Sequence, residues 1–356
     1  MAWFDPERSP ATEPILLSPG DKIAIYMEGA IGDPSGKMGY GVLRYSRHHL
    51  ACVVNSSHAG EVMEAHLSPT KSVPVVASLA DALALGANVF LLGVAPWGGA
   101  IPSDWWPVIS EAVAAGMSVV NGLHEQLSPH FPALKPNQWI WDIRREPEGL
   151  IPGRARAREH VGKRVLFIGT DMSVGKMTAG LEIYAEAVRR GVKTAFVATG
   201  QIGITVTGAG TPLDAVRVDF ASGAVEAEVL KVKDQDLILV EGQGSLIHPG
   251  STANLPLLRG SQPTHLVVCV QAGQTHLKRV PEIALPPLPE FIRLYEDLAS
   301  ACGVFDRPVT CCIAVNTAGL TEDEARAECD RITAETGLPT ADPVRHGAGA
   351  LLDAVL

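Results

Sequence analysis

A series of short apolar runs, each closed by turn residues, constrains the fold of this chain more than any other feature. "KIAIYM", "LACVVN" and "NVFLLGV" stand in the first part. "RVLFIG", "TAFVAT", "LILVEG", "HLVVCV" and "VTCCIAVN" stand in the second. Near-continuous apolar runs of this length predict strands covered on both faces. The amphipathic stretches between them predict helices, so the fold class is α/β with parallel sheets. Residues 149–164, "GLIPGRARAREHVGKR", break the alternation with Pro, Gly and basic residues. This stretch reads as a linker between two domains, 1–150 and 151–356. Its arginines suit either a solvated helix face or a phosphate contact. "RVPEIALPPLPEF", with prolines at 281, 286, 287 and 289, predicts an extended loop, because proline fixes φ and supplies no N–H.

Between the strand "RVLFIG" and the pattern "MTAGLEIYAEAVRRG" lies "GTDMSVGK", residues 169–176. The helix is predicted from a stripe of Met177, Leu181, Tyr184, Ala185 and Val188, with Gly191 as its C-terminal cap. Strand, Gly-rich turn, lysine and helix together predict a phosphate-binding loop. Backbone amides and the helix N-terminus attract an anion, and Lys176 adds a full charge. The candidate cradle is Gly169, Thr170, Met172, Ser173, Val174, Gly175, Lys176, Met177 and Thr178. Two departures mark it. A strict pattern places its first glycine where Thr170 stands, and its hydroxyl where Met177 stands. A thioether is a poor ligand for a hard cation, and Thr178 points about 100° away around the helix. Diphosphate binding with little phosphoryl transfer is therefore expected, although a shifted loop could return Thr178 to the metal.

The formal charge of -10 argues for neither nucleic acid nor an anionic membrane surface as a partner. No apolar run approaches the ~20 residues that cross a bilayer. The six cysteines show no metal spacing and lie partly in apolar runs, which predicts buried thiols in a reducing cytoplasm. The opening "MAWFDPERSP" lacks a basic and then apolar leader pattern, so no signal peptide is expected.

"GTDMSVGK" resembles the phosphate loop of dethiobiotin synthetase and its relatives, and "VEGQGSL" resembles their acidic strand-end motif. "ATGQIGI" and "EGQGSLIHPG" together resemble a bacterial and archaeal family with a Rossmann-like N-terminal domain and a P-loop C-terminal domain. "GYGVLRYS", "APWGGAIPSDWW" and "NGLHEQL" carry that resemblance into the N-terminal part. The family includes D-glutamate N-acetyltransferases. The resemblance implies a Rossmann-like domain followed by a P-loop NTPase-like parallel sheet. It also implies acetyl transfer from acetyl-CoA to the amino group of an amino acid, D-glutamate first. An ATP- and magnesium-dependent ligase or kinase acting on a carboxylate is the rival reading.

Acetyl transfer needs a base, oxyanion donors and partners for the acceptor's carboxylates. Glu241, at the carboxyl end of a buried strand, is the first choice of base, since burial raises a carboxyl pKa toward a useful value. A metal-binding or loop-ordering role is the other reading. His248 is the second choice, against a structural histidine. Asp171 either holds the amine or a metal, or forms the turn. Thr199, Gln201, Gln243 and Ser245 are candidates for lining the acceptor cleft. Asn316 either reads the adenine or orders its loop, and Arg44 either grips an acceptor carboxylate or lies on the surface. His124 is a candidate for catalysis or for packing. The tryptophan-rich loop suggests an apolar anchor or a homo-oligomer interface.

Overall fold

The computed structural model describes residues 17–356, the side chain of Trp97 excepted. The opening decapeptide, and the reading made of it, lies outside the described residues. The chain divides into two compact units. One runs through Glu146 and includes Gln201–Ala215. The other holds Pro147–Gly200 and Val216–Leu356.

The first unit contains β1 (Lys22–Tyr26), β2 (His49–Val54), β3 (Val62–Glu64), β4 (Ser72–Val76), β5 (Val89–Leu92), β6 (Ser118–Asn121) and β7 (Ile140–Asp142). They form one sheet in the order β3-β4-β2-β1-β5-β6-β7. Every pairing is parallel except the β3–β4 hairpin. Chain order reverses between β1 and β5, the switch point of a Rossmann-like sheet. Ile23, Ile25, Leu50, Phe90, Leu91 and Leu92 are fully buried along the central strands. The flanking helices are α1 (Lys37–Tyr45), α2 (Leu79–Ala84) and α3 (Trp106–Ala115). Trp105 is buried with its ring edge-on to Tyr26 at 5.4 Å, so this tryptophan anchors its loop within the unit.

The second unit contains β8 (Lys163–Gly169), β9 (Thr194–Val197), β10 (Leu237–Val240), β11 (His265–Gln271), β12 (Val309–Asn316) and β13 (Thr340–Ala341). Their order is β13-β12-β11-β8-β10-β9, parallel throughout. The remaining helices are α4 (Lys176–Arg189), α5 (Gln201–Thr207), α6 (Val218–Lys231), α7 (Asn254–Ser261), α8 (Leu288–Ser300), α9 (Glu322–Thr336) and α10 (Gly349–Val355). β8 sits where the chain order reverses, so the turn into α4 opens at this sheet's switch point. Of these helices α5 groups with the first unit, although it follows β9 in the chain. There its Ile202 packs against Gly41 of α1, where a Cβ would collide with it.

All the quoted apolar runs are strands. The strands β3, β4, β6, β7 and β13 lie outside the quoted runs; β3 and β7 have three residues each, β13 has two, and β4 carries Pro74. α4 differs from its predicted stripe. Of Met177, Leu181, Tyr184, Ala185 and Val188 only Leu181 is fully buried. The buried face is Ala179, Gly180, Leu181, Ile183 and Ala187. Gly180 faces the rings of Phe196 and Phe167, where a Cβ would lie 2.8 Å and 3.4 Å away. Small residues let the helix approach the sheet, whereas the stripe was drawn through larger ones.

In the linker, the Glu226 carboxylate is wholly buried. It accepts from the backbone N–H groups of Arg154 (3.1 Å) and Arg156 (2.6 Å), and from Arg156 Nε and Nη2 at 3.0 and 2.8 Å. Arg156 is thus more than a solvated residue: it fastens the linker to α6. The proline-rich loop also ends earlier than expected. Residues 275–285 fold back on themselves, with Leu285 N–H donating to Thr275 O at 2.8 Å. α8 then begins at Leu288, with Pro289 in its first turn, where a missing N–H loses no helical bond.

Candidate functional site

The site is built on the second unit, at the carboxyl ends of β8, β10 and β11. After Gly169 the chain turns through Thr170–Gly175 into α4. Ser173 (φ 58°) and Gly175 (φ 105°) take left-handed conformations, which turn successive N–H groups inward. A Cβ built on Gly175 meets only Asn316 Cβ, at 3.9 Å, so no neighbour crowds Gly175 itself. Lys176 is 6% exposed, and its Nζ donates to Asp171 O at 2.8 Å. Burial pushes its ammonium down to about 8, although Cys269, Asp171 and Glu241 favour the charge. A desolvated cation at a helix N-terminus suits an anionic ligand. Met177 and Thr178 are both half-buried in the first turn of α4.

Asp171, 1% exposed, has work of its own. Its Oδ1 accepts from Met172 N–H at 2.6 Å. Its Oδ2 accepts from Gln274 Nε2 (2.7 Å) and Lys278 N–H (2.8 Å). The carboxylate ties the phosphate loop to the segment after β11. Gln274 and Lys278 were not picked out from the sequence; their position just beyond a buried strand was the available signal.

Glu241 follows β10, which pairs with β8. It is 4% exposed. Its Oε2 accepts from Thr199 N–H at 2.8 Å and Gly200 N–H at 3.0 Å, an environment suited to an anionic carboxylate. Thr199 Oγ1 donates to Glu241 O at 2.9 Å, and Gln243 Nε2 reaches Thr199 Oγ1 at 3.4 Å. Gly242 packs directly on the P-loop strand. A Cβ there would collide with Phe167 O and lie 3.1 Å from Lys176 Cδ. The close approach sets Glu241 beside Lys176. Gly242→Ala should therefore destabilise the unit by ~1–3 kcal/mol, at roughly 2–4 °C per kcal/mol, in a thermal unfolding experiment. An unshifted midpoint would contradict this packing.

Ser245 Oγ donates to Thr170 O at 3.2 Å. The turn that follows is held by Tyr295 Oη, which accepts from Leu246 N–H (2.9 Å) and donates to Asn254 Oδ1 (2.8 Å). His248 lies in this turn, with Gly250 N–H donating to its Nδ1 at 3.0 Å. Asn316 ends β12 and accepts from Ala318 N–H at 3.1 Å through Oδ1, which is the loop-ordering contact.

The structure thus gathers Gly169–Thr178, Thr199, Glu241, Gln243, Ser245, His248 and Asn316 in one unit. Gln201 and Arg44 belong to the other. There Gln201 Oε1 accepts from Arg144 Nη2 at 3.1 Å. Arg144 also meets Asp214 at 2.8 Å, with His124 Nε2 3.8 Å from the same carboxylate. Arg44, in the last turn of α1, donates to Tyr45 Oη at 3.1 Å.

Residues 151–352 match the P-loop domain of the family described as Domain of unknown function DUF1611, and residues 56–146 match its Rossmann-like domain. The chain belongs to this family. A crystal structure of a DUF1611 family protein from Anabaena variabilis superposes with a TM-score of 0.89 at 46% identity, covering 94% of this chain and 99% of that one. A D-glutamate N-acetyltransferase of Tritonibacter scottomollicae is 39% identical over 283 residues, 78% of this chain and 84% of the relative. Another from a Pseudoalteromonas species is 36% identical over 281 residues, 77% of this chain and 83% of the relative. Among the described residues no helix is long and apolar enough to cross a membrane.

Proposed function

We propose that this protein is an N-acetyltransferase that moves an acetyl group from acetyl-CoA to the amino group of D-glutamate. Kinship to two D-glutamate N-acetyltransferases across more than three quarters of the chain carries the reading. The geometry supports it in three respects. The uncrowded Gly175, the α4 N-terminus and the buried Lys176 ammonium fit a diphosphate, which coenzyme A carries. Met177, in place of a hydroxyl, suits holding that group rather than cleaving an anhydride. Glu241, held by two main-chain amides beside Lys176, suits the removal of a proton from the attacking amine.

The acyl thioester supplies an activated carbonyl carbon. The amine nitrogen forms its bond to that carbon as the carbon–sulfur bond breaks. Glu241 takes the amine proton, and the departing thiolate recovers a proton from it. Thr199 and Gln243 hold the surroundings of Glu241 through Thr199 Oγ1, which donates to Glu241 O and is reached by Gln243 Nε2. Incubation with acetyl-CoA and single amino acids, followed by free thiol, tests this. Thiol should appear with D-glutamate and not without an acceptor. Thiol release independent of any amine would overturn the assignment.

A further inference from the structure

Two polar atoms beside the phosphate loop have no hydrogen-bond partner although both are buried: Thr170 Oγ1 and His248 Nε2. Their residues are 2% and 7% exposed. An unsatisfied buried polar group costs about 1–3 kcal/mol, so its persistence at a loop built for anions points to a ligand atom that completes it. The surrounding hydrogen bonds decide what each atom offers. Gly250 N–H donates to His248 Nδ1, so the neutral ring carries its hydrogen on Nε2. The opposite tautomer would set two N–H groups against each other. His248 therefore presents a donor on Nε2, not the lone pair that a base needs. Thr170 has spent its backbone: its N–H donates to Cys269 O at 3.2 Å and its carbonyl accepts from Ser245 Oγ. Only its hydroxyl remains. The two residues share one frame, because His248 N–H also donates to Ser245 O at 3.2 Å.

We infer that His248 Nε2–H and the Thr170 hydroxyl are hydrogen-bond donors to an anionic oxygen of the bound ligand. That oxygen is either on the diphosphate or is the one that gathers charge on the acyl carbonyl during transfer. For both sources the assignment takes coenzyme A as the ligand from the proposed acetyltransferase reading. It replaces the expectation that His248 is a base.

The test uses the whole protein labelled with nitrogen-15 in its histidines, with His248→Gln serving to assign the ring signal. The neutral ring should show the Nε2–H tautomer. Its Nε2 signal should move when coenzyme A is added, or with acetyl-CoA and D-glutamate together. An Nδ1–H tautomer, or an Nε2 signal indifferent to all these additions, would overturn the inference. His248→Gln, which keeps an N–H near the Nε2 position, should retain most activity and the acid limb of the kcat/KM profile. Loss of that limb would restore the base. His248→Phe and Thr170→Val separate the two oxygens. Weakened coenzyme A binding with kcat preserved places the donors on phosphate. A 10²–10³-fold fall in kcat at unchanged coenzyme A affinity places them on the acyl oxygen. The tautomer and the coenzyme A titration need no turnover, so they decide the role of His248 even if D-glutamate proves not to be the acceptor.

Discussion

Glu241→Gln should lower kcat for D-glutamate-dependent thiol release by ~10²–10⁴-fold, the usual contribution of a positioned general base. Coenzyme A affinity should barely change. The substitution keeps an oxygen for the Thr199 and Gly200 N–H groups, so the turn after β9 stays in place. A carboxamide cannot take the amine's proton at neutral pH. The rate of the residual reaction should then rise with pH, as the free amine becomes the nucleophile without help. A variant with full kcat would move the base elsewhere and leave Glu241 as an organiser of its loop.

Lys176→Met should act in opposite directions on binding and on stability. The ammonium contributes a charge-assisted phosphate contact of ~1.5–3 kcal/mol, so coenzyme A affinity should fall roughly 10- to 150-fold. In the unliganded protein the same ammonium is a burden. Its folded pKa of about 8 lies below the ordinary 10.5. Between those values the unfolded chain holds a proton that the folded protein lacks, so stability rises with pH there. The burden is complete below pH 8 and gone above 10.5. Removing the charge at neutral pH should stabilise the free protein by about 1–3 kcal/mol, seen as a higher unfolding midpoint. Wild-type affinity should weaken about tenfold per pH unit above 8, until the pKa of the ligand-bound state is reached, because binding then takes up a proton. The Met variant should lose that slope. A midpoint that falls, or a pH slope that survives, would contradict a buried ammonium aimed at phosphate.

Much of this was legible in the chain, for identifiable reasons. The phosphate loop is a local object: "RVLFIG", "GTDMSVGK" and the helix pattern lie within thirty residues, and the spacing places Lys176 at the start of α4. The position of Glu241 was legible because an acidic residue ends an apolar run, and that run is the buried strand β10. Other features depend on long-range closure. Asp171 meets Lys278 across 107 residues, and no pattern near either residue announces the tie. The grouping of Gln201–Ala215 with the first unit was equally hidden, because periodicity shows that a helix has an apolar face but not which sheet it covers. The buried face of α4 was misdrawn for a related reason: close packing against Phe167 and Phe196 demands small residues, and a search for large apolar side chains passes over them. The hydrogen-bond state of His248 is set by the Gly250 backbone, which a sequence does not display.

The role of the loop as a holder of an acyl carrier is tested most directly by one side-by-side measurement on the intact protein. Free thiol is followed with acetyl-CoA and D-glutamate, and nucleotide cleavage is followed with ATP and magnesium. Thiol release that depends on D-glutamate and is lost in Glu241→Gln, with ATP left intact, is the predicted result. Steady ATP hydrolysis, with acetyl-CoA untouched, would contradict it.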